Sequence, residues 1–340
     1  MNKESIFDLI TWYQKNKRDL PWRHTKDPYK IWISEVMLQQ TRVETVIDYY
    51  NHFIEELPNV TELSLIKEER LLKLWEGLGY YSRARNLQKC AKILVSQGKE
   101  NLPNQRKELL SLPGIGEYTA GAILSIAYMQ EEPAIDGNVI RVLSRIYKEK
   151  RDFLNKNVKE EYTTLLKTLM KDYPSDDFTQ SFIELGALIC LPNGTPKCTE
   201  CPLQSVCQAH QTKEETNYPI KKKKNPRKVV LKTIFVYTYE GTYQIQKRKE
   251  ELLHGLYEFP SLDKEINNME EYLQQHSIKY QRIQYLGEYK HIFSHIEWHM
   301  KAYQIDLIEK NSKKYATKEE LIKKYSIPTA FQRILKSIKE

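Results

Sequence analysis

The hydrophobic rhythm of the chain changes once, and that change constrains its architecture more than any other feature. Up to about residue 210, apolar residues recur at i, i+3 and i+4, the spacing of one helix face. Residues 30–47 show the pattern, and residues 61–76, 82–97, 105–111, 117–129, 138–148, 156–171 and 177–190 repeat it. Beyond residue 228 the alternation has period two. Val229–Tyr239, the turn pair Glu240-Gly241 and Thr242–Lys247 predict a hairpin. Further strands are predicted at 280–289 and 296–308, with a helix near 317–325. Thr212–Lys228, with Pro219, Lys221–Lys224 and Pro226, reads as a solvated basic connector. An all-α domain over 1–211, a linker over 212–228 and a separate α+β domain over 229–340 follow, as expected for 340 residues.

Charge says where DNA or another polyanion could not be held by bulk attraction. The net charge is +8, yet residues 1–211 carry 28 basic and 28 acidic side chains. The connector holds 7 against 2 and the last third 18 against 15. A polyanion would therefore need a local basic face on the helical domain. No run approaches the roughly 18 apolar residues of a membrane span. Met1–Asp8 includes Glu4 and lacks an apolar core, so a cytoplasmic location, without membrane contact, is expected.

Cys190, Cys198, Cys201 and Cys207 fall within 18 residues, spaced C-x7-C-x2-C-x5-C, while Cys90 stands alone. Four thiols so close in an intracellular chain predict a metal site rather than disulfides. Tetrahedral zinc suits four thiolates, but zinc ribbons usually carry two C-x2-C knuckles, and here there is one. An iron–sulfur cubane tolerates less regular spacing. Cys90 reads as a small buried apolar residue.

Leu112-Pro-Gly-Ile-Gly116 lies between two predicted helices. Gly114 and Gly116 permit positive φ and leave backbone N–H groups unshielded. Those groups, at a helix start, can bind one phosphate; a plain helix–helix turn is the alternative. Ala120, Gly121 and Ala122 are small enough for close packing.

Two carboxylates stand out. Glu35 is flanked at helical spacing by Ile31, Trp32, Leu38 and Gln39; taken alone it reads first as a paired structural glutamate, and otherwise as a carboxyl that burial keeps protonated, as a general acid requires. Asp136 precedes the helix beginning near Asn138; it could cap that helix, or Asn138 could do so and leave Asp136 for chemistry. Two carboxylates on one cleft suit glycosidic bond cleavage, one protonating the leaving group and one steadying an oxocarbenium-like centre.

The hairpin, followed twenty residues after Gly116 by Asp136-Gly-Asn-Val139, resembles the helix–hairpin–helix superfamily of DNA glycosylases. The cysteines resemble that superfamily's [4Fe–4S] loop. Trp32–Val46, Trp75–Arg85 and Asp136–Val142 resemble the MutY-type adenine DNA glycosylases, and the likeness runs almost continuously over residues 20–210. Gly255–Pro260 and Phe293–His295 are similar to that family's Nudix-like C-terminal domain. The resemblance implies removal of adenine opposite 8-oxoguanine or guanine in double-stranded DNA, by a monomer holding a [4Fe–4S] cluster on Cys190, Cys198, Cys201 and Cys207. It implies Glu35 as acid and then base, with Asp136 and Tyr118 steadying the sugar cation. It implies Gln40 and Tyr80 as wedges in the base stack while adenine is flipped out. Trp22, Arg23 and Leu38 would line the adenine pocket. Leu112, Gly114, Gly116 and Asn138 would meet DNA, and Phe293, Ser294 and His295 would read 8-oxoguanine.

Two departures qualify the likeness. The family's usual first cysteine gap is six residues, whereas Leu191–Lys197 supplies seven, in a turn-rich loop that could bulge. The C-terminal domain also lacks the R-E-x-x-E-E box of Nudix hydrolases, so it should read DNA rather than cleave nucleotides. A lyase similar to endonuclease III would need a lysine where Tyr118 stands, and tyrosine cannot form the imine. A non-catalytic DNA-binding module would gain nothing from carboxylates near phosphates.

Overall fold

The computed structural model describes residues 1–153, 155–220 and 226–338; the tetralysine Lys221–Lys224 lies outside them. The chain divides into two compact units, Met1–Leu65 with Asn86–Lys223, and Ile66–Arg85 with Lys224–Glu340. A short piece of the helical half, Ile66–Arg85, thus belongs with the C-terminal unit.

The first unit is helical. Its first helix, Lys3–Asn16, is opened by a reciprocal cap in which Asn2 and Ser5 satisfy each other's backbone N–H groups. The predicted single helix over 30–47 is two, Pro28–Leu38 and Val43–Glu56. Asp27 caps the former, accepting from the Tyr29 N–H at 2.9 Å, and Pro28 sits in its first turn. Gln39–Arg42 break the helix, with Gln40 in the left-handed region at φ 58°, a conformation uncommon outside glycine and frequent at functional sites. The helices Gly137–Tyr147 and Ser175–Leu188 cross closely. Gly186 permits this, since a Cβ there would lie 2.5 Å from the Asn138 Cβ. Leu9, Val139, Leu143, Phe178, Phe182 and Leu185 form the core between these elements and the first helix.

Thr212–Ile220 is not a free connector. Tyr218 is buried in that same core, and the Arg145 Nε donates to its carbonyl at 3.2 Å. Burying the Tyr218 ring outweighs the polar character of its neighbours.

The second unit is built on a mixed sheet. Its strands are β1 (Lys228–Tyr239), β2 (Thr242–Lys247), β3 (Tyr257–Glu258), β4 (Ser261–Leu262), β5 (Tyr280–Ile292), β6 (Ile296–Leu307) and β7 (Lys314–Thr317). The order is β3-β2-β1-β6-β5, with β4 beside β1 and β7 beside β2; β1 and β6 run parallel. Glu240 and Gly241 both have positive φ, so the β1–β2 turn is a two-residue connection whose twist suits the strands. The helices Lys318–Lys323 and Thr329–Ser337 supply Leu321, Phe331 and Ile334 to one face, against Trp298 and Met300. The helix Met269–Gln275 covers Phe235 and Ile305 on the other.

Candidate active site and cysteine cavity

The helix Pro28–Leu38 turns Glu35 inward, where it is 6% exposed. Opposite stands Tyr118, in the first turn of the helix Glu117–Ala122, and its hydroxyl donates to Glu35 Oε2 at 2.5 Å. Burial raises the Glu35 carboxyl to about 7; the Tyr118 hydrogen bond and the charge of Arg23 pull it down, and nearby Asp136 pushes it up. Glu35 therefore exchanges its proton near neutrality. Tyr118 is pushed well above its usual value by burial and by Glu35 itself, so it stays a hydroxyl and donates.

Asp136 is itself the cap of Gly137–Tyr147, so of the two caps that the sequence allowed the helix uses the first. Asp136 Oδ1 accepts from the backbone N–H groups of Asn138 and Val139, both at 2.8 Å, and Oδ2 accepts from Asn138 Nδ2 at 2.6 Å. An Asp before Gly-Asn reaches two N–H groups at once, whereas Asn138 is already inside the helix. Capping does not remove Asp136 from the cleft. Burial raises its carboxyl, and the three hydrogen bonds and Arg141 oppose that. Asn138 is held in turn, its Oδ1 accepting from Arg141 Nη2 at 2.8 Å.

Glu35, Tyr118 and Asp136 line one cleft of about 540 Å³, together with Trp22, Leu38 and Asn138. Arg23 lines it too, but not as a lone cation. Arg18 and Arg23 both clasp the fully buried Glu184, with Nη2 to Oε2 distances of 2.8 and 2.6 Å. Burial pushes Glu184 up, and the two guanidiniums more than offset it, to about 2. Arg18 and Glu184 escape sequence reasoning, because Glu184 sits in a helix whose pattern explains itself and its partners lie far upstream. The helix break adds Gln39, Gln40 and Thr41 to the cleft wall, with Gln40 exposed.

At the hairpin, the chain turns between the helices Arg106–Leu110 and Glu117–Ala122. Of the two glycines that permit positive φ, Gly114 adopts it, at 79°, and Gly116 is extended, at φ −96°. Gly114 also faces the Asn86 Cβ at a distance of 2.7 Å from any added Cβ. Gly114 and Gly116 are exposed, whereas the Leu112 side chain is buried, so Leu112 can offer DNA only its backbone.

In the second unit, Tyr80 is 47% exposed and left-handed at φ 45°. Phe293, Ser294 and His295 form the turn between β5 and β6, closed by the Phe293 N–H donating to the Ile296 carbonyl at 2.9 Å. The Phe293 ring packs edge-on against His291 and Trp298, while Ser294 and His295 are exposed.

The four cysteines of the cluster line one small cavity, with Arg145, His210 and Glu215. The seven-residue gap is absorbed by a bulge. The Lys197 N–H donates to the Ile189 carbonyl at 3.0 Å, returning Cys198 beside Cys190. Arg145 Nη1 donates to Cys190 Sγ at 3.2 Å, and Arg141 Nε to the Cys190 carbonyl at 2.6 Å. Burial pushes the Cys198 and Cys201 thiols up to about 12 and raises Cys207 as well. Thiolates are therefore costly here unless a cationic centre offsets them, and the donor set fits such a centre. His210 and Glu215 are additions the spacing did not announce: their ligand atoms and Cys198 Sγ lie within 4.8 Å of one another. Cys90 is fully buried. No helix among the described residues is long and apolar enough to cross a membrane.

Residues 33–168 match the HhH-GPD superfamily of base excision DNA repair proteins, and residues 233–337 match the NUDIX domain. Among solved structures, a thermostable thymine-DNA glycosylase is 27% identical with a TM-score of 0.56, over 61% of this chain and 95% of that one. An endonuclease III–DNA complex, 23% identical with a TM-score of 0.51 over 63% and 98%, shares the fold. Adenine DNA glycosylase from Mus musculus is 33% identical, covering 88% of this chain and 70% of its own. That of Buchnera aphidicola from Schizaphis graminum is 36% identical over 97% of both chains. Likeness at that level along nearly the whole of both sequences, together with the two family matches, means that the chain belongs to the adenine DNA glycosylase family.

Proposed function

We propose that the protein hydrolyses the N-glycosidic bond of adenine mispaired with 8-oxoguanine or guanine in double-stranded DNA, and that it performs no lyase step. The observation that carries this reading is Glu35, buried in the cleft beside Asp136 and titrating near 7. Adenine flipped from the duplex enters the cleft. Glu35 gives its proton to a ring nitrogen, and the C1′–N9 bond breaks with its electron pair leaving on adenine. The Asp136 carboxylate, fixed by three N–H donors, steadies the positive sugar, helped by Tyr118. Glu35, now a carboxylate, takes a proton from the water that adds to C1′. Adenine and an abasic site result.

Trp22 and Leu38 supply apolar walls, and Arg23 with Glu184 a fixed polar one. An imine-forming lyase needs an amine; the described residues that line the cleft include no lysine. The hairpin N–H groups at Gly114 and Gly116 suit one phosphate, Asn138 holds the wall DNA would meet, and Gln40 and Tyr80 serve as wedges. Ser294 and His295 read the base opposite adenine, with Phe293 as their anchor. Cys190, Cys198, Cys201 and Cys207 hold a [4Fe–4S] cluster, which when bound ties the loop together and supplies no step of base removal. The reading extends to a monomer that works where its DNA substrate lies, in the cytoplasm at the nucleoid of a bacterial cell.

Product analysis tests the reading. A duplex with adenine opposite 8-oxoguanine should lose adenine, and its strand should break only after hot alkali. Strand cleavage without alkali, trapped by borohydride, would overturn the hydrolytic assignment.

A further inference from the structure

The segment Ile66–Arg85 is compact with the C-terminal unit, and one charged pair grips a backbone turn of that unit. Glu76 Oε1 accepts the Ile327 N–H at 2.8 Å, and Lys73 Nζ donates to the Tyr325 carbonyl at 3.0 Å. Lys73 and Glu76 also pair with each other, each side chain only 15% exposed. One ion pair thus satisfies two backbone groups on either side of Ser326. The turn it grips is anchored, because Ile327 and Tyr325 are buried and the Tyr325 ring meets Tyr257 edge-on at 4.7 Å. Elsewhere the Tyr257 hydroxyl donates to Glu69 Oε1 at 3.3 Å and Arg85 Nη2 to the His254 carbonyl, while the Glu69–Lys247 pair is exposed on both sides and contributes little.

Immediately after Glu76 the chain is stiff. Trp75 is fully buried and its Nε1 donates to the Gly79 carbonyl at 3.1 Å. Arg83 Nη2 donates to the Leu78 and Gly79 carbonyls at 2.9 and 3.1 Å, and its guanidinium lies over the Trp75 and Tyr80 rings. Tyr80 is therefore the exposed tip of a braced loop whose base is clamped to the unit that carries the Phe293–His295 turn.

We infer that Lys73 and Glu76 are positioning residues for lesion discrimination: they hold the Tyr80 wedge and the base-reading turn as one body, so that the two engage the duplex together. This rests on the roles given above to Tyr80 and to Phe293–His295. Loss of the clamp should release the wedge from the reader and erode the preference for 8-oxoguanine.

The test uses the full chain and single-turnover adenine release from duplexes with adenine opposite 8-oxoguanine or guanine. Glu76→Ala should lower the 8-oxoguanine-to-guanine rate ratio by roughly tenfold, the weight of one buried hydrogen bond. Glu76→Gln keeps an oxygen acceptor for the Ile327 N–H and should restore most of the ratio. Ser294→Ala with His295→Ala is run beside them. If that double variant lowers the ratio and Glu76→Ala does not, the clamp is refuted while the reading turn stands. If Glu76→Ala slows both substrates equally, its role is only structural and the inference fails. If the double variant itself leaves the ratio unmoved, the reading turn is wrong and the clamp loses its basis.

Discussion

The Tyr118 hydroxyl donates to Glu35 Oε2 at 2.5 Å, from a half-buried ring to a buried carboxyl. The bond favours the charged form of Glu35, and burial works against it more strongly. Their balance near 7 lets one carboxyl give a proton and take one back. Tyr118→Phe removes the bond, so the Glu35 titration should move to higher pH. Base release falls as Glu35 loses its proton, and its alkaline limb should therefore shift upward in Tyr118→Phe. A pH–rate profile of both proteins checks this; an unshifted limb contradicts the coupling.

The same burial has a cost in stability. The Glu35 carboxyl binds its proton more tightly when folded than when unfolded, so the native state loses stability as pH rises from about 4.5 through about 7. Glu35→Gln has no charge to bury. Its melting temperature should match the parent below pH 4.5 and exceed it above pH 7. A difference independent of pH would show that Glu35 is not desolvated.

Asp136 combines a cap with a charge, and two substitutions separate them. Asp136→Asn keeps an oxygen for the Asn138 and Val139 N–H groups; its stability should stay within about 1 kcal/mol of the parent. Losing the carboxylate should nonetheless slow base release by about a hundredfold or more. Asp136→Ala should add a cap loss of about 1 kcal/mol. Melting curves and single-turnover rates measure the two effects apart.

How much of this was legible in the chain depends on how local each signal was. The change of period separates the helical half from the sheet because alternation is a property of neighbouring residues, and the Glu240-Gly241 turn declares itself the same way. The burial of Glu35 was readable from Ile31, Trp32 and Leu38 around it. The break at Gln39–Arg42 was not, since Gln, Thr and Arg all tolerate helix and only tertiary structure places Gln40 at positive φ. Strands of two residues, Tyr257–Glu258 and Ser261–Leu262, are too short to show alternation. The Lys3–Asn16 helix went unmarked although Asn2 and Ser5 spell its cap. The clasp of Arg18 and Arg23 on Glu184 joins distant stretches, and no window of sequence contains it.

That clasp yields a further expectation. Glu184→Ala would leave two arginines facing each other, one of them nearly buried, without their carboxylate. Stability should fall by about 3–5 kcal/mol, measured by denaturant unfolding. A loss near zero would mean that solvent screens the pair.

The cysteine cavity is tested by composition. Cys201→Ser should remove most of the bound iron and sulfide and the visible absorbance they give, because the other three thiols cannot close the donor set. Cys90→Ala, outside the cavity, should leave both unchanged. Zinc in place of iron and sulfide in the purified parent would contradict the cluster assignment.

The central claim is that Glu35 is the acid that breaks the bond to adenine, and single-turnover adenine release by Glu35→Gln tests it most directly. On a duplex with adenine opposite 8-oxoguanine, Glu35→Gln should bind as the parent does and release adenine at least about a hundredfold more slowly, the weight of general acid catalysis. Release near the parent rate would contradict the account.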